Sequence, residues 1–117
     1  METLIIQTKA LSIGDGMDES NDVAPLSSKN QLDTVLRYIG IGTEEGARLT
    51  FGGHQLESEE FADGYYIEPT IFTDVDRKMR IAKEEIFGPV LSVFKVSNLE
   101  EAVNISNDVD FVLSSSV

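Results

Sequence analysis

The chain has 117 residues, 21 acidic against 9 basic for a formal net charge of −12, with no cysteine, no tryptophan and one histidine. That length suits one domain, and 41% hydrophobic residues, with six Phe and three Tyr to pack, give a soluble globular composition rather than an acidic disordered tail. So acidic a surface speaks against nucleic acid and anionic membranes as partners, and without cysteine no disulfide, zinc–thiolate site or thiol nucleophile can form within this chain.

From Thr3 onward, apolar positions at Leu4, Ile5, Thr8 and Leu11 have helical spacing, and Gly14-Asp15-Gly16 stops it. Residues 17–25 are acidic and turn-rich, which predicts a surface loop ending in an extended residue before Pro25. Ser28-Lys29-Asn30-Gln31 has the S-x-x-Q form of a capping box, so a helix is expected there, with Leu32, Val35, Leu36 and Ile39 as its apolar face. Gly40 and Gly42 each cost about 1 kcal/mol in a helix interior, which leaves its end between Gly40 and Gly46. Leu49-Thr50-Phe51 before Gly52-Gly53 predicts a short strand and turn, and 57–63 an exposed acidic loop. Residues 65–72 are aromatic and β-branched, but Pro69 cannot donate to a ladder, so the expectation is an extended or edge segment. A short helix is expected over 78–85. Gly88-Pro89 opens the strongest strand signal, 90–96, apolar on both faces as in an interior strand. Ser97-Asn98-Leu99-Glu100 reads as a second capping box, with Leu99, Ala102, Val103 and Ser106 lining the helix it starts. Residues 111–117 look like another strand. Alternating strand and helix predict an α/β fold with a mainly parallel sheet and helices on its faces. A chain that begins in a helical pattern and ends in a strand reads as a piece of 1–117 truncated at both ends.

No apolar run approaches the ~20 residues of a spanning helix. The start Met1-Glu2-Thr3 has no basic region ahead of an apolar stretch, so a cytoplasmic location is expected. General catalytic templates are missing: there is no glycine-rich phosphate loop and no nucleophile elbow. His54, beside Gly52-Gly53, reads as an exposed loop histidine, and the acidic groups lack the ligand spacing of a calcium loop, so no metal site is expected. Glu84-Glu85-Ile86-Phe87-Gly88-Pro89-Val90 is different. It sets two carboxylates, a ring, a glycine and a proline at the mouth of a strand, where α/β sheets commonly bind ligands. A carboxylate can accept from two neighbouring hydroxyls, and a ring can lie on a flat heterocycle, a combination that suits a nucleotide ribose. The plainer alternative is a helix C-terminus, a turn and a core Phe87.

That same segment resembles the E-E-I-F-G-P-V signature of the NAD(P)-dependent aldehyde dehydrogenase superfamily. Gly46-Ala47 with Gly52-Gly53, Gly64-Tyr65-Tyr66-Ile67-Glu68-Pro69-Thr70-Ile71-Phe72, Glu101-Ala102 with Asn107-Asp108, and Leu113 to Val117 follow in the family's order, nearly the whole chain. The resemblance implies a three-layer α/β catalytic domain, of which this chain is an internal slice. It implies an enzyme oxidising an aldehyde to a carboxylic acid with NAD or NADP: a cysteine thiolate attacks the aldehyde, hydride passes to nicotinamide, and water hydrolyses the thioester. It assigns no catalytic residue here, because the family's cysteine, base glutamate and oxyanion asparagine lie upstream. Residue by residue, Glu85 matches the glutamate that binds the nicotinamide ribose hydroxyls and Phe87 the aromatic beside them. The expected partners are an aldehyde in the longer enzyme and further copies in a homo-oligomer; the alternative function is a non-catalytic fragment that self-associates through exposed sheet edges. The sequence departs from the family pattern at Ala24-Pro25-Leu26, at Gly16 and at Val112.

Overall fold

The computed structural model describes residues 1–111 and Ser114. Its helices are α1 (Glu2–Lys9), α2 (Lys29–Glu44), α3 (Arg80–Lys83) and α4 (Leu99–Ser106), and its strands β1 (Arg48–Phe51), β2 (Thr70–Thr73) and β3 (Val90–Ser92). Among the described residues no helix is long and apolar enough to cross a membrane.

Helix α2 begins where the capping pattern places it: Ser28 is extended, and its Oγ accepts from the Gln31 amide at 3.2 Å. It then runs on through both glycines. A Cβ at Gly42 would stand 2.9 Å from Ile81 Cδ1 and 3.2 Å from Phe72 Cζ, so this glycine lets α3 and β2 approach closely. Termination comes at Gly46 (φ 98°), where the Ala47 amide reaches Gly42 O (2.9 Å) and the Gly46 amide Thr43 O (3.1 Å). These two bonds satisfy carbonyls the helix leaves open.

The sheet order is β1-β2-β3, with β1 antiparallel and β3 parallel to β2. Two strand expectations change places. The segment expected at an edge supplies the central strand, whose Thr70, Ile71 and Phe72 are at most 2% exposed. Pro69 lies just ahead of β2, where its missing N–H costs no ladder bond, and the Thr70 amide donates to Pro89 O at 2.8 Å. The segment expected inside the sheet flanks it instead: β3 spans three residues, and Leu91 is 46% exposed.

Layering follows from alternation along β2. Phe72 enters the core with Leu32, Val35 and Ile39 of α2 and Ile81 of α3. Ile71, on the opposite face, borders a cavity of about 280 Å³ that is also lined by Thr8 and Leu11, at the end of α1 and just beyond it. Helical elements thus lie on both faces of the sheet, a three-layer α/β arrangement.

Helix α1 stops at Ala10, earlier than its apolar spacing suggests, and buries no residue fully. The cap of α4 is shifted by one position: Asn98, not Ser97, accepts from the Glu101 amide (2.9 Å), while Glu101 Oε2 accepts from the Ser97 amide (2.7 Å). Its half-buried positions are Ala102 and Ile105, whereas Leu99 and Val103 face outward. The strand expected over 111–117, and the Val112 departure with it, falls outside the described residues apart from Phe111 and Ser114.

Candidate functional site

The segment joining α3 to β3 carries the candidate residues Glu85 and Phe87. Glu84 leaves α3 in an extended conformation (φ −103°, ψ 144°). From there, burial alternates: Ile86 packs against the core, while Glu85 and Phe87 on either side of it are exposed, Phe87 by 73%. The alternative with Phe87 in the core does not hold, because Ile86 takes that place.

Glu84 is occupied. Its Oε1 accepts from Arg80 Nε (2.7 Å) and its Oε2 from Arg80 Nη2 (2.8 Å) and from the Tyr38 hydroxyl (2.6 Å). The Arg80 fork, then the Tyr38 hydrogen bond, bring its carboxyl down to about 2. The same hydrogen bond to Glu84 raises the Tyr38 phenol above its usual value, and contact with Glu84 raises the Arg80 guanidinium. Arg80 and Arg37 also sit 5.5 and 5.1 Å from the centre of the Tyr38 ring. Glu85 takes no part in these bonds. Two adjacent glutamates therefore have opposite roles, one bound internally and one presented to solvent.

Further along, Phe87 O accepts from Gln31 Nε2 at 2.6 Å, the Gly88 amide bonds to Ile86 O (2.7 Å), and the Val90 amide bonds to Gly88 O (2.8 Å). Gly88 lies against α2, where a Cβ would stand 2.6 Å from Cγ2 of the fully buried Val35. Pro89 O, accepting from Thr70, ties the end of the segment to the central strand. The 280 Å³ cavity opens beside this end, walled by Pro69, Ile71, Pro89 and Leu91. Chemically, the segment offers an unengaged carboxylate able to accept from a vicinal diol and an uncovered ring able to lie on a flat heterocycle.

The other candidates are structural. His54 is exposed, and only its carbonyl is engaged, by the Glu68 amide. In the Gly14-Asp15-Gly16 turn, Asp15 Oδ1 accepts from the Met17 amide. No group of acidic or histidine side chains among the described residues could hold a metal ion. Sequence reading passed over Tyr38 and Arg80, and read Gln31 only as part of a capping box. Only Arg80 had a signal, its i,i+4 spacing to Glu84.

A family model described as the aldehyde dehydrogenase family matches residues 1–117. An alpha-ketoglutaric semialdehyde dehydrogenase of Bacillus subtilis is 50% identical over 116 residues, which is 99% of this chain and 24% of that protein. The chain thus spans about a quarter of the relative's length. Among solved structures, a Mycobacterium tuberculosis aldehyde dehydrogenase complexed with NAD+ superposes with a TM-score of 0.81 at 45% identity, covering 87% of this chain and 21% of that one. A 3,6-anhydro-L-galactose dehydrogenase in complex with NAP reaches a TM-score of 0.89 at 36% identity, covering 94% and 23%.

Proposed function

The chain belongs to the aldehyde dehydrogenase family, and on that premise we propose that it is an internal slice of the catalytic domain of an NAD(P)-dependent enzyme oxidising an aldehyde to a carboxylic acid. Glu85 would accept hydrogen bonds from the two hydroxyls of the nicotinamide ribose, and Phe87 would lie against the ribose and nicotinamide. The dinucleotide, when bound, supplies the two-electron acceptor. What this chain contributes is orientation: a hydrogen-bond acceptor and an apolar ring, held at the head of β3.

One observation carries the reading. Glu85 and Phe87 are both exposed while the neighbouring Glu84 is consumed by Arg80 and Tyr38. That is the chemistry a ribose site needs, a carboxylate free to accept from hydroxyls beside an uncovered ring. The thiol nucleophile of a thioester mechanism would come from chain beyond these 117 residues, which contain no cysteine. In this reading the parent enzyme is a cytoplasmic homo-oligomer, and a semialdehyde, the substrate class named for the Bacillus subtilis relative, is the first to try.

Titrating the 117-residue chain with NAD+ and NADP+, followed by the amide resonances of residues 84–88 and Val90, tests this. The expected result is weak, saturable binding that shifts Glu85 and Phe87 most, with no aldehyde oxidation. Saturating dinucleotide that leaves 85–88 unmoved would refute the cofactor reading, and aldehyde turnover by this chain alone would refute the assignment of the nucleophile elsewhere. A second reading, a non-catalytic fragment that self-associates, draws support from exposed apolar side chains such as Ile6 (66%) and Leu99 (60%). A concentration-independent monomer mass in light scattering would exclude it.

A further inference from the structure

Glu84 and Glu85 have the same side chain, so the site depends on which of them the backbone turns outward. In an extended segment a slip of one residue exchanges the two faces. Such a slip would send Glu85 toward the core and leave Glu84 in the open.

Three fasteners set the register. Glu84 is gripped by the Arg80 fork and the Tyr38 hydroxyl. At Phe87 the backbone carbonyl is held by Gln31 Nε2. At Pro89 the carbonyl is held by the amide of the central strand. Two of these use side chains whose local duties would not require them. A phenylalanine would fill the buried place of Tyr38 on α2 about as well, so the hydroxyl adds a directional bond rather than core volume. Gln31 stands where a capping box would turn its side chain back to Ser28, yet its amide reaches across 56 residues of sequence to Phe87. Gly88 then lets the segment lie directly against Val35 between the second and third fasteners.

We infer that Tyr38, Arg80 and Gln31 are positioning residues, which lock segment 84–89 in the register that turns Glu85 and Phe87, rather than Glu84 and Ile86, toward the nucleotide. The inference rests on the reading of Glu85 and Phe87 given above. None of the three needs to touch the nucleotide; each acts through the segment it holds.

The test uses the 117-residue chain with Tyr38→Phe, Gln31→Leu and the two combined, and with Glu84→Gln as the conservative variant that keeps an acceptor for the Tyr38 hydroxyl. Amide hydrogen exchange reads the register through the Thr70 amide, which donates to Pro89 O, and the order of the segment itself through the bonds donated by Gly88 and Val90. Each removed bond is expected to speed exchange at these two amides about fivefold, and to weaken NAD+ binding by a similar factor, with exchange in α2 unchanged. Glu84→Gln should recover most of the protection that Glu84→Ala loses. The inference is overturned if the double variant leaves Gly88, Val90 and NAD+ affinity unaltered. It is also overturned if protection falls evenly along the chain, since that is the mark of a merely structural role. Should the double variant unfold, Gln31→Leu alone decides, because Gln31 is only half-buried. If NAD+ fails to shift Glu85 and Phe87 in the unaltered chain while the variants still loosen 86–90, the nucleotide reading fails and the register lock stands.

Discussion

Two glycines two positions apart in α2 provide a sharp test of how the helix packs. Replacing glycine by alanine inside a helix gains about 1 kcal/mol of intrinsic propensity, partly by restricting the unfolded chain. At Gly40 a Cβ would meet nothing within 4 Å, so Gly40→Ala should keep that gain. At Gly42 the new methyl would stand 2.9 Å from Ile81 Cδ1, 3.1 Å from Ile81 Cγ2 and 3.2 Å from Phe72 Cζ. Ile81 is 5% exposed and Phe72 fully buried, so neither can swing aside into solvent. Overpacking of this kind costs roughly 1–3 kcal/mol, which cancels or exceeds the propensity gain. For a chain of this length the unfolding entropy makes 1 kcal/mol worth about 4 °C in Tm. Thermal unfolding followed by far-ultraviolet circular dichroism should therefore show Gly40→Ala melting about 2–4 °C above the parent and Gly42→Ala level with it or up to about 8 °C below. Adding Ile81→Val to Gly42→Ala removes the atom in closest conflict, so the pair should lose less than the sum of the single losses. If Gly42→Ala rises as far as Gly40→Ala, α2 does not approach α3 and β2 as described.

Gly52→Ala should cost about 3 kcal/mol or more in a denaturant melt, because Gly52 has φ 74° and its Cβ would collide with the Pro69 carbonyl, which is backbone and cannot step aside. Phe87→Ala should change stability by less than about 0.5 kcal/mol, since the ring is 73% exposed, yet remove most of the NAD+-induced shift at Glu85; a variant that fails to fold would contradict the exposed placement. Glu84 titrates near 2 in the folded chain against an ordinary 4.5, so the stability it contributes is complete above about pH 4.5 and is lost as the pH falls from there toward 2. Glu84→Gln should flatten that acid limb in pH-dependent unfolding, though not fully, because Ser20 and Ser12 hydrogen bonds also lower the carboxyls of Asp18 and Asp22.

Elements that depend on near neighbours were legible in the sequence. Ser28, three residues ahead of Gln31 and followed by an i, i+3, i+4, i+7 apolar row, announces the start and buried face of α2, and both are found. The end of α2 was obscured because helix propensity carries no information about Ile81, which lies 39 positions further on and is what makes a glycine at 42 fit. The exchange of edge and centre between the segments around β2 and β3 has a similar origin. Apolar residues on both faces of 90–96 suggested full cover, and a proline in 65–72 suggested an edge, but pairing decides position: Thr70, just past Pro69, has a free N–H for Pro89, whereas Leu91 stays exposed. Glu85 and Phe87, proposed for the cofactor, are both exposed. What holds them, Tyr38 and Gln31, lies 46 and 56 residues from its partner, and no local pattern links the two.

The choice between the two glutamates is the exception, because its decisive part is local. One helical turn before Glu84 stands Arg80, which reaches it with both ends of its fork. Glu85 lies beyond the end of α3, in the extended segment, where alternation turns it to the exposed side. In a chain with 9 basic residues against 21 acidic ones, a cation spent on one carboxylate is withheld from its neighbour. The i,i+4 rule thus assigns Arg80 to Glu84 and leaves Glu85 unengaged. In the proposed reading an acceptor for ribose hydroxyls needs oxygens for which no fixed partner competes, and Arg80, committed to Glu84, does not compete for those of Glu85.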